Sequence, residues 1–390
     1  MYPRFWYCRP ANFDRLSLAR SNHTLTVLHN KAYIFGGETA HGELASNDMH
    51  IVTLVASEKP DKDYQLLPAL ASDESNGVPV ARSKHAACVL DGSIAVYGGC
   101  DEKGNVIEEG SCIWLFDTEK LSWSQVKPAN TDSLPKGRHN AKLFAHETSL
   151  ILCGGEGNLG ATASDIWQYD TIPETWTQLP PAPAPTTNAV LTNGQIYLVS
   201  GSDPMSSQLH HFSLSEKDEV KPWETFTFPT NPIAPGPRAR EGGGFLPITT
   251  GYGRNYLVYF LGAVSKPSDS TIVSEDETHN ITQYSDMWTL QLPSSDLELK
   301  PSWSVKDAIK PAKIKDAIRS VLGAETGKHT WGEVEVVLPT DLLVPDGKLH
   351  PGPRGFFGCD VMDDGRTVVL WGGENAKGER VGDGWIIKLE

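Results

Sequence analysis

AYIFGG at 32–37, IAVYGG at 94–99 and LILCGG at 150–155 are copies of one phrase, an apolar strand ending in a pair of small residues. Weaker copies follow as IYLVSG at 196–201, LVYFLGA at 257–263 and VVLWGG at 368–373. Their small pairs begin at Gly36, Gly98, Gly154, Ser200, Gly262 and Gly372, which stand 62, 56, 46, 62 and 110 residues apart. A phrase recurring at such intervals marks a repeat architecture, whose units bury their apolar faces only by stacking.

Each copy has the same surroundings. An Arg-led strand precedes it, as in ARSNHTLTVL, ARSKHAACVL, GRHNAKLF, PRAREGGGF and PRGFFGCDV. Asp91-Gly92, Asn193-Gly194 and Asp364-Gly365 predict tight hairpins between the two strands, because both turn residues need positive φ. A third strand follows, often opening on Asp and an aromatic: DMHIVTL, CIWLFD, DIWQYD, LHHFSL, DMWTLQL and DGWIIKL. A fourth carries Trp123, Trp176, Trp223 or Trp331. The final repeat stops at its third strand, and the N-terminal RFWYCRP, with Trp6, is a strand without a repeat. Residues 4–9 therefore complete the last sheet and close the ring, which removes free strand edges.

The predicted fold is all-β, a six-bladed β-propeller in a single domain over 1–390, closed by an N-terminal strand. The blades run about 20–68, 82–128, 138–180, 185–229, 238–339, and 354–390 plus 4–9. Blade 5 carries insertions at 263–285 and 304–330. The second includes KPAKIKDAIRSVLG, where Pro311, the spacing of Ile314, Ile318, Val321 and Leu322, and Gly323 predict a short amphipathic helix.

The Gly-Gly pairs, third-strand aromatics and fourth-strand tryptophans resemble the Kelch family across essentially residues 4–390. Blade 4, with Ser200-Gly201, and blade 5, with Gly262-Ala263, depart from its Gly-Gly pattern. The resemblance implies that the glycines and tryptophans are structural. It extends to free-standing fungal Kelch proteins and to the propeller of galactose oxidase. What it implies for function is a small-molecule-binding propeller of fungal natural-product biosynthesis, a cofactor-free cyclase of the hetero-Diels–Alder type. The alternative is a protein–protein interaction scaffold without catalytic activity.

Lys plus Arg is 34 and Asp plus Glu is 49, so the formal net charge is 34 − 49 = −15, against a nucleic-acid partner. No apolar run reaches the roughly 18–20 residues that span a bilayer, and the N-terminus lacks the pattern of a secretory signal, so no membrane role is expected. Cys8, Cys88, Cys100, Cys112, Cys153 and Cys359 form no C-x-x-C pair, and free thiols in a cytoplasmic protein are expected.

In a four-stranded blade the start of the first strand, the end of the second and the start of the third share one face. That face gathers Arg20, Arg82, Arg138, Arg240 and Arg354, together with His23, His85, His139, Asn140, Glu241 and Phe356. The loops after the small pairs add Glu38, Glu156 and Glu374. Two roles are open to the arginines: ion pairs within and between blades, or a ring of donors that orients a carboxylate, enolate or phenolate. On the second reading His23, His85, Arg82 and Arg138 are the catalytic candidates, and Arg20, Glu38, His139, Asn140, Glu156, Arg240, Glu241, Arg354 and Phe356 bind the ligand. The ligand is expected to be apolar with an oxygenated polar end, held in near-attack geometry under insertion 263–285 as a lid. No cofactor is expected. No metal is expected either, because Glu275, Asp276, Glu277 and His279 depart from the E-x-x-x-D-x-x-x-H spacing of plant specifier proteins, which the family also resembles. No P-loop and no G-x-S-x-G elbow occurs.

Overall fold

Period-2 alternation in each repeat produces a four-stranded antiparallel sheet. The computed structural model describes residues 5–10, 18–54, 63–73, 77–158, 160, 162–185, 187–201, 207–214, 222–228, 236–250, 254–265, 281–292, 331–336 and 350–389. Blade 1 pairs Thr24–Leu28, Lys31–Phe35, Met49–Thr53 and Tyr64–Leu67 in that order. Blade 2 pairs Ala86–Leu90, Ser93–Tyr97, Ile113–Asp117 and Ser122–Val126. Blade 3 pairs Lys142–His146, Ser149–Cys153, Ile166–Asp170 and Thr175–Leu179. Blade 4 pairs Asn188–Thr192, Gln195–Ser200, Gln208–Ser213 and Glu224–Thr227. Blade 5 pairs Gly244–Thr249, Asn255–Phe260, Met287–Gln291 and Trp331–Glu333. Blade 6 pairs Gly358–Val361, Thr367–Trp371 and Gly384–Leu389 with the N-terminal strand Phe5–Pro10.

The six innermost strands touch in cyclic order, blade 6 returning to blade 1, so the ring is closed. Each second strand is apolar after its first residue, apart from the closing Ser200 and with Cys153 ending blade 3, because both of its faces are covered. Ile94 and Val96 of blade 2 pack with Tyr33 and Phe35 of blade 1, whereas Ala95 and Tyr97 pack with Leu150 and Leu152 of blade 3. A separate apolar cluster of this kind lies at each of the six blade junctions. A free blade would expose both of these faces to water.

Closure is made by the strand the sequence pointed to. Trp6, Tyr7, Cys8, Arg9 and Pro10 lie opposite Leu389, Lys388, Ile387, Ile386 and Trp385 in an antiparallel ladder. The outer edge of this strand is paired in turn: Phe5 and Trp6 lie parallel to Glu335 and Val336.

Several local expectations are refined. Asp91-Gly92 and Asn193-Gly194 form the tight turns, with φ of 46° and 78° and of 50° and 68°. Asp364-Gly365 does not, and only Gly365 has positive φ. There the Asp364 carboxylate accepts hydrogen bonds from the Arg366 and Thr367 amides in a longer loop. The blade 5 pair is Leu261-Gly262 rather than Gly262-Ala263. The Leu261 amide bonds Asp286 O, just as Gly154 bonds Asp165 O and Gly372 bonds Asp383 O. Leu261 adopts φ of 53° and is fully buried, so its packing offsets a backbone state that costs most residues about 1–2 kcal/mol. Insertion 263–285 opens as a hairpin stem, Ala263–Ser265 against Ile281–Gln283. The rest of the expected lid, 266–280, lies outside the described residues, as does the expected helix in 304–330. Among the described residues there is no α-helix.

Deleting residues 1–10 uncovers the edge of Gly384–Leu389 and opens the ring. A denaturant melt is expected to show a lower midpoint for the shortened chain, with light scattering revealing edge-to-edge association. An unchanged midpoint would contradict the closure.

Candidate functional site

The mouth is built on a repeated rivet. In blade 2, Arg82 donates to Gly98 O at 3.0 Å and makes a bidentate pair with Glu109 at 2.9 and 2.7 Å. Arg138 does the same with Gly154 O and Asp165, and Arg354 with Gly372 O and Asp383. Arg240 pairs with Leu261 O and Asp286. The third-strand tryptophan of the same blade donates to the same carboxylate: Trp114 to Glu109, Trp167 to Asp165, Trp288 to Asp286 and Trp385 to Asp383. Burial pushes the Asp165 and Asp286 carboxyls up, but hydrogen bonds from these partners outweigh it and hold both below the ordinary range.

The arginine backbone locks the neighbouring blade. The second residue of the small pair donates its amide to the arginine carbonyl of the next blade: Gly37 to Arg82, Gly99 to Arg138, Gly262 to Arg354 and Gly373 to Arg20. In blades 1, 2 and 6 a glycine in the first position of the pair leaves room for that approach, whereas blade 5 manages it with Leu261. A Cβ on Gly98 would lie 2.3 Å from the Arg138 carbonyl oxygen, and Gly98 has φ of 67°.

Two blades depart from the rivet. In blade 1, His50 stands where other blades have tryptophan, bonding Arg20 at 2.8 Å and the Tyr64 hydroxyl at 2.8 Å. In blade 4, Ala184 occupies the arginine position, and His210 replaces the tryptophan, bonding Ser200 Oγ and Thr225 Oγ1.

Above the rivets runs a belt of backbone hydrogen bonds around the axis. Asn22 donates to Phe356 O, Lys84 to Asn22 O, Asn140 to Lys84 O and Phe356 to Gly242 O, at 2.7–2.8 Å. Asn22, Lys84, Asn140, Gly242 and Phe356 all have φ of 56–59°. The belt therefore presents different side chains from one rigid backbone frame.

Inside the belt lies a vestibule of about 100 Å³, lined by residues that include Asn22, Lys84, Asn140, Thr187, Glu241 and Phe356. It leads past His23, His85, Lys142 and Asn188 into an axial bore of about 450 Å³ lined by all six inner strands. The far end of the bore is largely apolar, with Val27, Val89, Leu191, Pro247 and Val361. Four acids stand around the mouth. Glu374 and Glu38 flank Arg380 at 3.5 and 3.7 Å, while Glu241 lines the vestibule and feels the charge of Glu156. Burial raises the Glu241 carboxyl, and the neighbouring Glu156 charge raises it further.

Of the two roles open to the arginines, the contacts favour ion pairing within the blades. Arg20, Arg82, Arg138, Arg240 and Arg354 are at most 4% exposed. Their guanidinium groups are engaged by their own blades, so no free donor set is left to orient a ligand in the bore. His23 and His85 are brought together at the neck, each 6% exposed. His85 Nε2 lies 2.8 Å from Thr24 Oγ1, and burial followed by the Arg82 charge lowers its pKa to about 3. Burial and Arg20 likewise hold His23 well below the ordinary histidine range. Both are neutral wall residues at pH 7. Asn140, Glu241 and Phe356 line the vestibule, whereas His139 and Glu156 are joined to each other, and Glu38 to Ser21, through their backbones outside its lining. Lys142 and Asp360, both in the bore, were not singled out from the sequence. The available signal was a charge inside an inner strand, in KLFAH and GCDV. Among the described residues no cluster of three His, Cys, Asp or Glu is placed to hold a metal ion, and Glu275, Asp276, Glu277 and His279 lie outside them. No helix among them is long and apolar enough to cross a membrane.

Comparison with known proteins agrees with this geometry. The profile of the KLHDC2/KLHL20/DRC7 Kelch-repeats domain matches residues 22–246. Kelch domain-containing protein 3 of Homo sapiens is 26% identical over 198 residues, covering 48% of this chain and 48% of that protein. Adagio-like protein 3 of Oryza sativa subsp. japonica is 28% identical over 230 residues, covering 55% of this chain and 34% of the relative. Beta-scruin of Limulus polyphemus is 24% identical over 192 residues, covering 47% and 19%. The chain thus spans about half or less of the length of these curated relatives. The solved structure of YjhT superposes with a TM-score of 0.56 at 15% identity, covering 96% of this chain and 95% of that one, a likeness of fold.

Two outcomes follow for stability. Asp165→Ala leaves the buried Arg138 without its anion and is expected to cost about 3 kcal/mol in a denaturant melt. Lys120→Ala, at an exposed pair, leaves the melt nearly unchanged. A tolerated Asp165→Ala would refute the rivet. The second outcome concerns pH. His50 and His85 have folded pKa values of about 4 and about 3 against an ordinary 6.5. The unfolded chain takes up these protons first as pH falls, so their contribution is fully present above 6.5 and is lost as pH drops through 4 and 3. Thermal melts across pH 7.5 to 4 are expected to show that slope, reduced in His85→Gln; an equal slope in both proteins would count against it.

Proposed function

The chain belongs to the Kelch-repeat family, and we propose that it is a protein-binding propeller whose mouth face receives a basic segment of its partner. One observation carries the reading. The backbone belt fixes four different side chains, Asn22, Lys84, Asn140 and Phe356, and the bare Gly242 in equivalent positions, inside a mouth bearing Glu38, Glu156, Glu241 and Glu374. A rigid asymmetric rim loses little entropy on binding and reads one orientation of a ligand. Its four carboxylates outnumber Lys84, Lys142 and Arg380, which on a chain of net charge −15 favours a partner with Lys or Arg.

A small-molecule ligand is the second reading, and the bore supports it, since about 450 Å³ lies within the range of ligand cavities. The more specific idea of a cofactor-free cyclase draws no support from the mouth arginines, which are engaged in the rivets. A cytoplasmic location is supported by the free thiols of Cys88, Cys100, Cys112, Cys153 and Cys359.

The test is fluorescence anisotropy with paired peptides that differ only in Lys/Arg against Glu/Asp. The basic peptide is expected to bind and to weaken as salt rises. Glu156→Lys with Glu241→Lys should reduce its affinity about tenfold or more. Equal binding of both peptides, or indifference to the double variant, would refute the proposal.

A further inference from the structure

Lys142 opens the inner strand of blade 3 and lines both the vestibule and the bore. At the equivalent ladder position the other blades carry Thr24, Ala86, Asn188, Gly244 and Gly358, so blade 3 alone places a charge at this level. A lysine kept there for structure would be expected to meet a carboxylate. The Lys142 side chain makes no hydrogen bond and no ion pair with another described residue. Its electrostatic neighbour is the Cys359 thiol, which burial keeps protonated up to about 12. Burial accordingly lowers the Lys142 pKa, increasing the share of free amine. The space beyond it is walled mainly by Leu25, Val27, Val89, Leu191, Leu246 and Val361.

We propose that Lys142 is a carbonyl-binding lysine, whose Nζ condenses with an aldehyde that carries an apolar tail into the bore. The amine lone pair forms a bond to the carbonyl carbon, and a proton moves from nitrogen to the former carbonyl oxygen. The carbinolamine then loses that oxygen as water with the second amine hydrogen, leaving a C=N bond. No oxidant or reductant takes part, and the condensation is reversible. A free anion fits the site less well than a neutral carbonyl compound, because Asp360 shares the bore. Burial pushes the Asp360 carboxyl up to about 6, so it is largely ionised at neutral pH. This site is separate from the peptide-binding role of the rim, and the two are tested by different readouts.

The test is reductive trapping of the full chain with benzaldehyde and sodium cyanoborohydride at pH 7.5, followed by peptide mass mapping. The Lys142 peptide is expected to gain the benzyl group faster than exposed lysines such as Lys31 or Lys120, because more of its amine is free. Glyoxylate, with a charge in place of the apolar tail, is expected to label Lys142 more slowly than benzaldehyde does. Lys142→Arg should abolish the fast label while the protein keeps its melting temperature. If that variant fails to fold, the wild-type map still decides the matter. Labelling of Lys142 at or below the rate of the exposed lysines would overturn the proposal, and faster labelling by glyoxylate would overturn its apolar specificity.

Discussion

Everything in this molecule depends on the ladder between Phe5–Pro10 and Gly384–Leu389. Each blade buries both faces, so each needs two neighbours, and a linear row of blades would leave two apolar faces and two strand edges in water. Pairing the first strand with the last removes those ends at one stroke. It also ties the geometry of the axis to the whole chain. The belt at the mouth and the bore beneath it exist because six inner strands are held at fixed distances around a closed circle.

The second constraint is the rivet. One arginine per blade, absent from blade 4, fixes its own blade through side-chain contacts, while in several blades its carbonyl accepts from the preceding blade. Taking a guanidinium out of water costs several kcal/mol, and here a carboxylate and a backbone carbonyl supply the compensation. The same compensation makes these groups unavailable to a ligand. The belt side chains, the four glutamates and Lys142 lie outside the rivets.

Much of the architecture could be read from the residues, because strand alternation and tight turns are local signals. The Gly-Gly phrases, the third-strand aromatics and the N-terminal strand with Trp6 each sit where the structure uses them. What depends on direction could not be read. Arg82 and Lys84 are two positions apart and lie on the same face, yet one is fully buried against Glu109 and the other opens on the vestibule. Sequence spacing does not reveal that difference, because it arises from Glu109 in the loop before the third strand of the same blade. Leu261 was misaligned for a related reason. Glycine signals a left-handed residue, whereas a leucine holding that conformation is supported by burial that only the fold creates. His50 and His210 followed the third-strand pattern in position, but their partners, Arg20 and Ser200, come from other strands.

The functional account joins these levels: closure sets the circle, rivets stiffen it, and the belt turns one backbone frame into an uneven acidic rim above an axial bore of mixed lining. Closure is the claim from which the others descend, and native-state hydrogen exchange tests it most directly. The amides of residues 5–9 and 384–389 are expected to exchange through the same global opening as the inner strands, with matching free energies and a matching response to denaturant. Rapid exchange of residues 5–9 under conditions where the inner strands stay protected would contradict the account.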